Sequence, residues 1–369
     1  VRSKKLEIDP LSPSSRALDQ AAGVIKEGGV ISLPTETLYG LGADGLNPQA
    51  IRRVYEVKKR DSRRPISLLV RDRGQLSSLV EKIPPLGEKL MEVFWPGPLT
   101  LVLQASLLVP KIVVNPSGGV GLRISSSPLV SSLLRELEVP LTATSANLSG
   151  SPPLRDPRQV YSVFKGKVDL FLDAGPLQEG PPSTVLDLTG PEVKLLRKGR
   201  VEAQKIEEVL GLKLKRPPFT VLLVCTGNMC RSPMAAGLLQ EFTAPDGVRV
   251  VSAGTGAMPG LPPSENAARV MEEMGIAISD HRSQPLTWRL LEEADLILVM
   301  ELEHLEFIRE MGFTGENLYL LRDFAAGPGG DIPDPIGGDL ALYRKVLQMI
   351  KEELERVYPR IRELALWSR

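Results

Sequence analysis

Cysteine is nearly absent from this chain. Cys225 and Cys230 are the two thiols in 369 residues. Two thiols cannot build a disulfide framework for so long a chain, which excludes a disulfide-stapled secreted domain and fits a reducing compartment. Histidine is as scarce, with His281 and His304 alone. So few soft ligands argue against a dedicated zinc site. No apolar run approaches the roughly 18 residues of a membrane span. The opening Val1-Arg2-Ser3-Lys4-Lys5 leads into charged sequence without an apolar signal core. A cytoplasmic protein with no membrane partner is the expectation. Net charge is also zero, with 45 basic and 45 acidic residues, but the balance is uneven: residues 1–220 sum to +8 and residues 221–369 to −8. A basic first part suits anionic ligands such as nucleotides or RNA. The plainer reading is that its basic side chains only solvate the surface.

What the chain does hold is ordinary for globular protein: 42% apolar and 24% charged residues, with 32 prolines and 33 glycines scattered along it. Its length predicts two domains. The best boundary is the basic, proline-bearing stretch 211–219, giving domains over 1–212 and 219–369 and a linker over 213–218. In the first domain, helical spacing is expected over 14–27, 48–59, 84–94 and 201–210. Strands are expected over 30–33, 66–70, 99–103, 119–124, 139–143, 183–188 and 193–197. Strands this numerous and irregularly connected predict a twisted mixed sheet with helices, of α+β type. The second domain alternates regularly: strands over 219–224, 248–252 and 294–300, and helices from about 233, over 264–274 and over 339–358. This α/β pattern predicts a doubly wound parallel sheet.

The sharpest motif is Cys225-Thr-Gly-Asn-Met-Cys-Arg231-Ser232-Pro233, between a strand and a helix. There the loop N–H groups and the helix N-terminus converge, which makes an anion site. A thiol in that field, beside Arg231, is expected to have a lowered pKa and to act as a nucleophile. Arg231 can grip two phosphoryl oxygens. Gly227 and Asn228 tolerate a left-handed backbone.

With Ser252-Ala-Gly254 after the second strand, His281-Arg282-Ser283, and Asp334-Pro335 far downstream, this motif resembles the low-molecular-weight protein tyrosine phosphatases over 218–369. The resemblance implies a four-stranded parallel sheet, Cys225 as nucleophile, Arg231 as phosphate clamp and Asp334 as general acid and then base. It implies support of the loop by Asn228, Ser232, Ser252 and His281, and Cys230 as the neighbour that traps oxidised Cys225. No cofactor is implied. The segment Asp331-Ile-Pro-Asp-Pro-Ile336-Gly-Gly338 lacks the aromatics of tyrosine-directed members and looks like bacterial protein-arginine phosphatases, while Met229 stands where those favour a small polar residue. Phosphotyrosine and phosphoarginine on a phosphoprotein are both open. No cysteine follows Cys230, which excludes the related arsenate reductase relay. His304 reads as structural.

In the first domain, Pro34-Thr-Glu-Thr-Leu-Tyr-Gly-Leu-Gly42, Lys58-x-Arg60, Phe94-Trp-Pro-Gly-Pro-Leu-Thr100, Val120-Gly-Leu-Arg123, Thr144-Ser-Ala-Asn147, Ser183-Thr-Val185 and Leu196-Arg-Lys-Gly199 stand in order. A Lys-x-Arg alone is usually a solvated helix face, and Ser-x-Asn a turn. In combination they resemble the YrdC family of threonylcarbamoyl-AMP synthases over about residues 8–205. The resemblance implies that L-threonine, bicarbonate and ATP, with Mg²⁺, are joined into threonylcarbamoyl-AMP for tRNA modification. Lys58, Arg60 and Arg64 would meet ATP phosphates, and Ser145 and Asn147 the nucleotide. Arg197 would close the nucleotide side, and Thr37, Arg123 and Ser183 would hold threonine. No metal ligand is assigned. tRNA, through a surface suited to double-stranded RNA, or tRNA-modification proteins are the expected partners. A non-catalytic RNA-binding module is the alternative for this domain.

Overall fold

The computed structural model describes residues 3–149, 151–178 and 180–367. The chain divides into two compact units, Val1–Pro217 and Pro218–Arg369. No helix among the described residues is long and apolar enough to cross a membrane.

The first unit runs β1 Lys4–Glu7, α1 Ser15–Lys26, β2 Ile31–Pro34, β3 Tyr39–Gly42, α2 Pro48–Lys58, β4 Ser67–Leu69, α3 Arg73–Leu79, α4 Pro85–Phe94, β5 Leu99–Gln104 and β6 Gly119–Arg123. It continues with α5 Pro128–Glu136, β7 Leu141–Ser145, α6 Pro157–Phe164, β8 Leu170–Asp173, β9 Thr184–Asp187, β10 Lys194–Arg197 and α7 Ala203–Leu210. The strands form one mixed sheet in the order β1-β8-β2-β3-β7-β4-β6-β5-β9-β10. Alternate residues serve two cores. Ile31, Leu33 and Leu69 pack with α1 and α5, while Tyr39, Leu41 and Leu68 pack with α2, α3 and α4.

Two local features place the site. α2 begins where Asn47 caps the N–H groups of Gln49 and Ala50 and Pro48 fills the first turn. Its buried stripe runs Ile51, Val54, Tyr55 and Lys58, so helical period carries a lysine into the interior. Residues 34–44 form a turn followed by β3, a strand absent from those expected above. Glycine hid that strand, and packing demands it: a Cβ on Gly40 would meet the Thr144 carbonyl at 3.3 Å, and one on Gly42 would meet the Leu33 side chain at 3.0 Å.

The residues read as a linker are tied down. Buried Glu207 accepts the Leu214 N–H at 3.0 Å and pairs with Lys213 at 3.0 Å and Arg216 at 2.8 Å, and Lys215 donates to the Val193 carbonyl. Leu214 is buried with the first core. Residues 213–216 therefore fold as part of the first unit.

The second unit runs β11 Thr220–Cys225, α8 Arg231–Thr243, β12 Arg249–Gly254, α9 Glu265–Glu272, α10 Trp288–Glu293, β13 Leu296–Val299, α11 Leu302–Glu310, β14 Leu318–Leu320 and α12 Leu340–Trp367. Its four strands are all parallel, in the order β12-β11-β13-β14. β11 is buried on both faces: Val221, Leu223 and Cys225 join the core under α8, α9 and α12, while Leu222 and Val224 join the core under α10 and α11. Truncating Leu223 to alanine is expected to cost about 2–5 kcal/mol. Cys225 ends the strand beside the point where the order turns from β12 to β13, the crevice in which open parallel sheets bind ligands.

Candidate active sites

In the second unit, the chain from Cys225 to Arg231 wraps into a cradle. Asn228 takes φ 53, the left-handed region, and is fully buried. Its N–H reaches Cys225 Sγ at 3.3 Å. Its amide donates to Ser232 Oγ and Ser252 Oγ, both at 2.9 Å, and its Oδ1 accepts from the Gln284 N–H. His281 Nε2 meets the Asn228 carbonyl at 2.7 Å. Ser232 Oγ stands 2.9 Å from Cys225 Sγ. The residues expected to support the loop are thus gathered on Asn228 and the thiol. Gly254 is part of the wall: a Cβ there would lie 2.4 Å from the Thr226 carbonyl and 2.9 Å from the Asn228 nitrogen.

Cys230 faces other partners. Its Sγ lies 3.2 Å from Ser264 Oγ and 3.3 Å from Tyr343 OH. Both cysteines are free thiols.

Arg231 is 1% exposed. Its Nη1 meets the Ile332 carbonyl at 3.0 Å and Glu301 Oε2 at 2.7 Å. Its Nη2 meets Thr226 Oγ1 at 3.2 Å and Asp334 Oδ2 at 2.5 Å. Nε is buried without a partner. The acid and the clamp expected from sequence are therefore in direct contact. Glu301 is a further member that sequence reasoning missed. Its signal was its place just past the apolar strand 294–300, at the carboxyl edge of the sheet.

His304 is also part of this network. Its Nδ1 accepts the Glu301 N–H at 3.1 Å, which puts the ring proton on Nε2, 2.9 Å from Thr226 Oγ1. Burial, and then the charge of Arg231, lower its pKa to about 4. The expectation for Cys225 needs correcting. Burial pushes its thiol up, against the pull of Ser232, Arg231 and the Asn228 N–H. The physical reason is that the thiol is wholly enclosed, and the cost of burying its charged form outweighs those favourable contacts.

In the first unit, the anchors are buried rather than displayed. Lys58 is 1% exposed. Its Nζ donates to the Ser145 carbonyl, to the Asn147 carbonyl at 2.7 Å and to Asn147 Oδ1 at 3.1 Å. Burial, then the charge of Arg60, lower its pKa to about 7. Three acceptors nonetheless match the three ammonium donors. Ser145 Oγ donates to Asn147 Oδ1 at 2.6 Å. Arg60 Nε and Nη2 bind the carbonyls of Arg64 and Pro65, bracing the turn that carries Arg64. Arg197 holds Ser183 through its carbonyl at 2.8 Å and its hydroxyl at 2.9 Å, and Thr100 Oγ1 touches the same hydroxyl at 3.0 Å. Thr37 lies in the turn pinned by Thr35 Oγ1, which accepts its N–H at 3.2 Å. Arg123, buried at the end of β6, pairs with Glu36 at 3.5 Å. Burial lowers its pKa, and Glu36 opposes that shift.

A thiol cradle closed by an arginine and facing an aspartate is the site of a cysteine-dependent phosphatase. Clusters of buried cations and hydroxyls, Lys58 with Ser145 and Asn147 and Arg197 with Ser183 and Thr100, suit a reaction run by positioning and charge neutralisation. Comparison with known proteins agrees. Residues 23–199 match the Sua5/YciO/YrdC family model, described as telomere recombination, and residues 220–365 match that of the low molecular weight phosphotyrosine protein phosphatases. A threonylcarbamoyl-AMP synthase of Pyrococcus abyssi is 34% identical over 254 residues, 69% of this chain and 71% of that protein. One of Bacillus subtilis is 37% identical over 55% of this chain and 59% of that protein. The crystal structure of P. abyssi Sua5 complexed with L-threonine superposes at TM-score 0.56 with 27% identity, over 82% of this chain and 93% of that one. The chain belongs to the threonylcarbamoyl-AMP synthase family and carries, as its second unit, a domain of the low-molecular-weight phosphatase family.

Proposed function

We propose that the chain is a bifunctional enzyme. Its first unit makes threonylcarbamoyl-AMP from L-threonine, bicarbonate and ATP, supplying tRNA modification. Its second unit removes phosphate from phosphoproteins bearing phosphotyrosine or phosphoarginine, through a phosphocysteine. The observation that carries the second activity is the cradle itself, with Ser232 2.9 Å from the Cys225 thiol and Asp334 2.5 Å from Arg231. A phosphoryl group entering the cradle competes with Asp334 for Nη2 of Arg231. Its arrival would release Asp334 to protonate the leaving group while Cys225 attacks phosphorus. Asp334 then activates the water that hydrolyses the phosphocysteine. Displacing the carboxylate also restores the full charge of Arg231 beside the thiol, offsetting the cost of its burial.

For the first unit, the buried Lys58–Ser145–Asn147 cluster braces the nucleotide side. Arg60, Arg64 and Arg197 serve the phosphates and their rim, and Thr37, Arg123 and Ser183 serve threonine. A purely RNA-binding unit gains no support from this arrangement, since a buried Lys58 and Arg123 cannot track a phosphate backbone. No group of three or more His, Cys, Asp or Glu able to hold a metal occurs among the described residues. Mg²⁺ would arrive as the counter-ion of the triphosphate substrate.

The test is phosphate release from matched phosphotyrosine and phosphoarginine peptides, alongside threonine-dependent pyrophosphate release from ATP. Activity on at least one peptide and with threonine is expected. A folded chain inert in either assay would overturn that half of the reading.

A further inference from the structure

The turn between β2 and β3 holds a carboxylate that the proposed reaction has not yet used. Thr35 Oγ1 accepts the N–H groups of Thr37 and Leu38 and donates to the Leu38 carbonyl at 2.8 Å, which fixes the turn. Arg200 Nη1 holds the Glu36 carbonyl at 2.7 Å. The Glu36 carboxylate accepts from Ser125 Oγ through Oε2 at 2.5 Å. Its other oxygen, Oε1, is buried and has no hydrogen-bond donor. Arg123 Nη1 stands 3.5 Å from it, an ion pair too long for a good hydrogen bond, with both side chains largely buried at 7% and 13% exposure.

A buried, undonated carboxylate oxygen costs about 1–3 kcal/mol or more, so its persistence needs an explanation. The sign and spacing supply one. A guanidinium and a carboxylate side by side, each short of a close partner, complement a molecule with adjacent opposite charges. The head group of an α-amino acid is such a molecule.

We propose that Glu36 binds the ammonium group of the amino-acid substrate through Oε1, while Arg123 takes its carboxylate. This rests on the synthase reading and deepens it by assigning the ammonium contact to Glu36, a specificity-determining residue. Ser125 is then the residue that aims the carboxylate, by occupying Oε2. The pair would exclude ligands that carry the carboxylate alone, since these would leave Oε1 undonated and facing an uncompensated polar group.

The test uses calorimetric titration of the full chain with L-threonine and with its amine-free counterpart, 3-hydroxybutanoate of matching configuration, which has hydrogen in place of the amine. The wild-type chain is expected to bind threonine about tenfold to a hundredfold more tightly than the amine-free acid. Glu36→Gln is expected to narrow that gap to about threefold or less in a chain that still unfolds cooperatively, at a midpoint lowered by the loss of the charge that faces Arg123. A wild-type gap below about threefold would overturn the proposal without recourse to any variant. Equal weakening of both ligands by Glu36→Gln, with the gap intact, would also overturn it, because Glu36 would then only position Arg123. If the wild type binds neither ligand, the synthase reading itself falls, and this assignment with it.

Discussion

On the proposed function, the two sites solve the same problem, holding a phosphoryl-bearing anion, in opposite ways. The second unit gathers its groups in one short loop, so backbone N–H groups, the thiol and Arg231 arrive together. The first unit spreads its groups over the ends of several strands, and its lysine is consumed by backbone carbonyls. One site is a loop with a nucleophile; the other is a scaffold of buried charges. A local loop can be broken by one atom, whereas a dispersed scaffold fails through lost positioning. Each prediction below tests that contrast.

With the nucleophile kept, the largest effect is expected from Arg231→Lys. A point ammonium cannot reproduce a fork held by Ile332, Glu301, Thr226 and Asp334. Phosphate release should fall roughly 10²- to 10³-fold in kcat, read by steady-state kinetics. Next is Asp334→Asn. Aryl phosphates with poor leaving groups should lose about 10²-fold in rate, while dinitrophenyl phosphate, which needs no acid, should lose little. A uniform loss across leaving groups would mean that Asp334 serves Arg231 only as a structural partner.

Gly254→Ala sharpens the comparison at the level of backbone. Its Cβ would press on the Thr226 carbonyl at 2.4 Å, so the second unit should lose about 1–3 kcal/mol in denaturant unfolding. The first unit's transition should not move. The smallest effect is a pH dependence. His304 has its pKa lowered from 6.5 to about 4 in the fold, so it folds neutral. Its contribution is fully present above the unfolded value, and is lost as pH falls from about 6.5 toward about 4. The second unit's unfolding midpoint should decline over that window, and His304→Gln should flatten the decline.

The same contrast explains what could be read from residues alone. The cradle was legible because Cys225, Asn228, Arg231 and Ser232 are neighbours in sequence. Glu301 was not, because its role depends on β13 lying beside β11. His304 looked structural because its hydrogen bond to Thr226 joins helix α11 to the loop after β11, 78 residues earlier in the chain. In the first unit, Lys58 was expected at the ATP phosphates from the resemblance alone, yet its spacing from Ile51, Val54 and Tyr55 marks the buried stripe of α2. β3 was hidden by Gly40 and Gly42, which pack where side chains would collide. β14 has only three residues, too few to show a period. Residues 213–218 looked like linker because basic residues and a proline pair dominate there, while the anchor, Glu207, sits on the preceding helix.

The most direct test of two separate active sites is a crossed assay on the full chain. Threonine-dependent pyrophosphate release and phosphopeptide hydrolysis would be measured for Cys225→Ser and Lys58→Met. Two separate sites predict that Cys225→Ser abolishes hydrolysis and spares pyrophosphate release, with the converse for Lys58→Met. If Cys225→Ser abolishes both activities in a folded chain, or leaves hydrolysis intact, the account is contradicted.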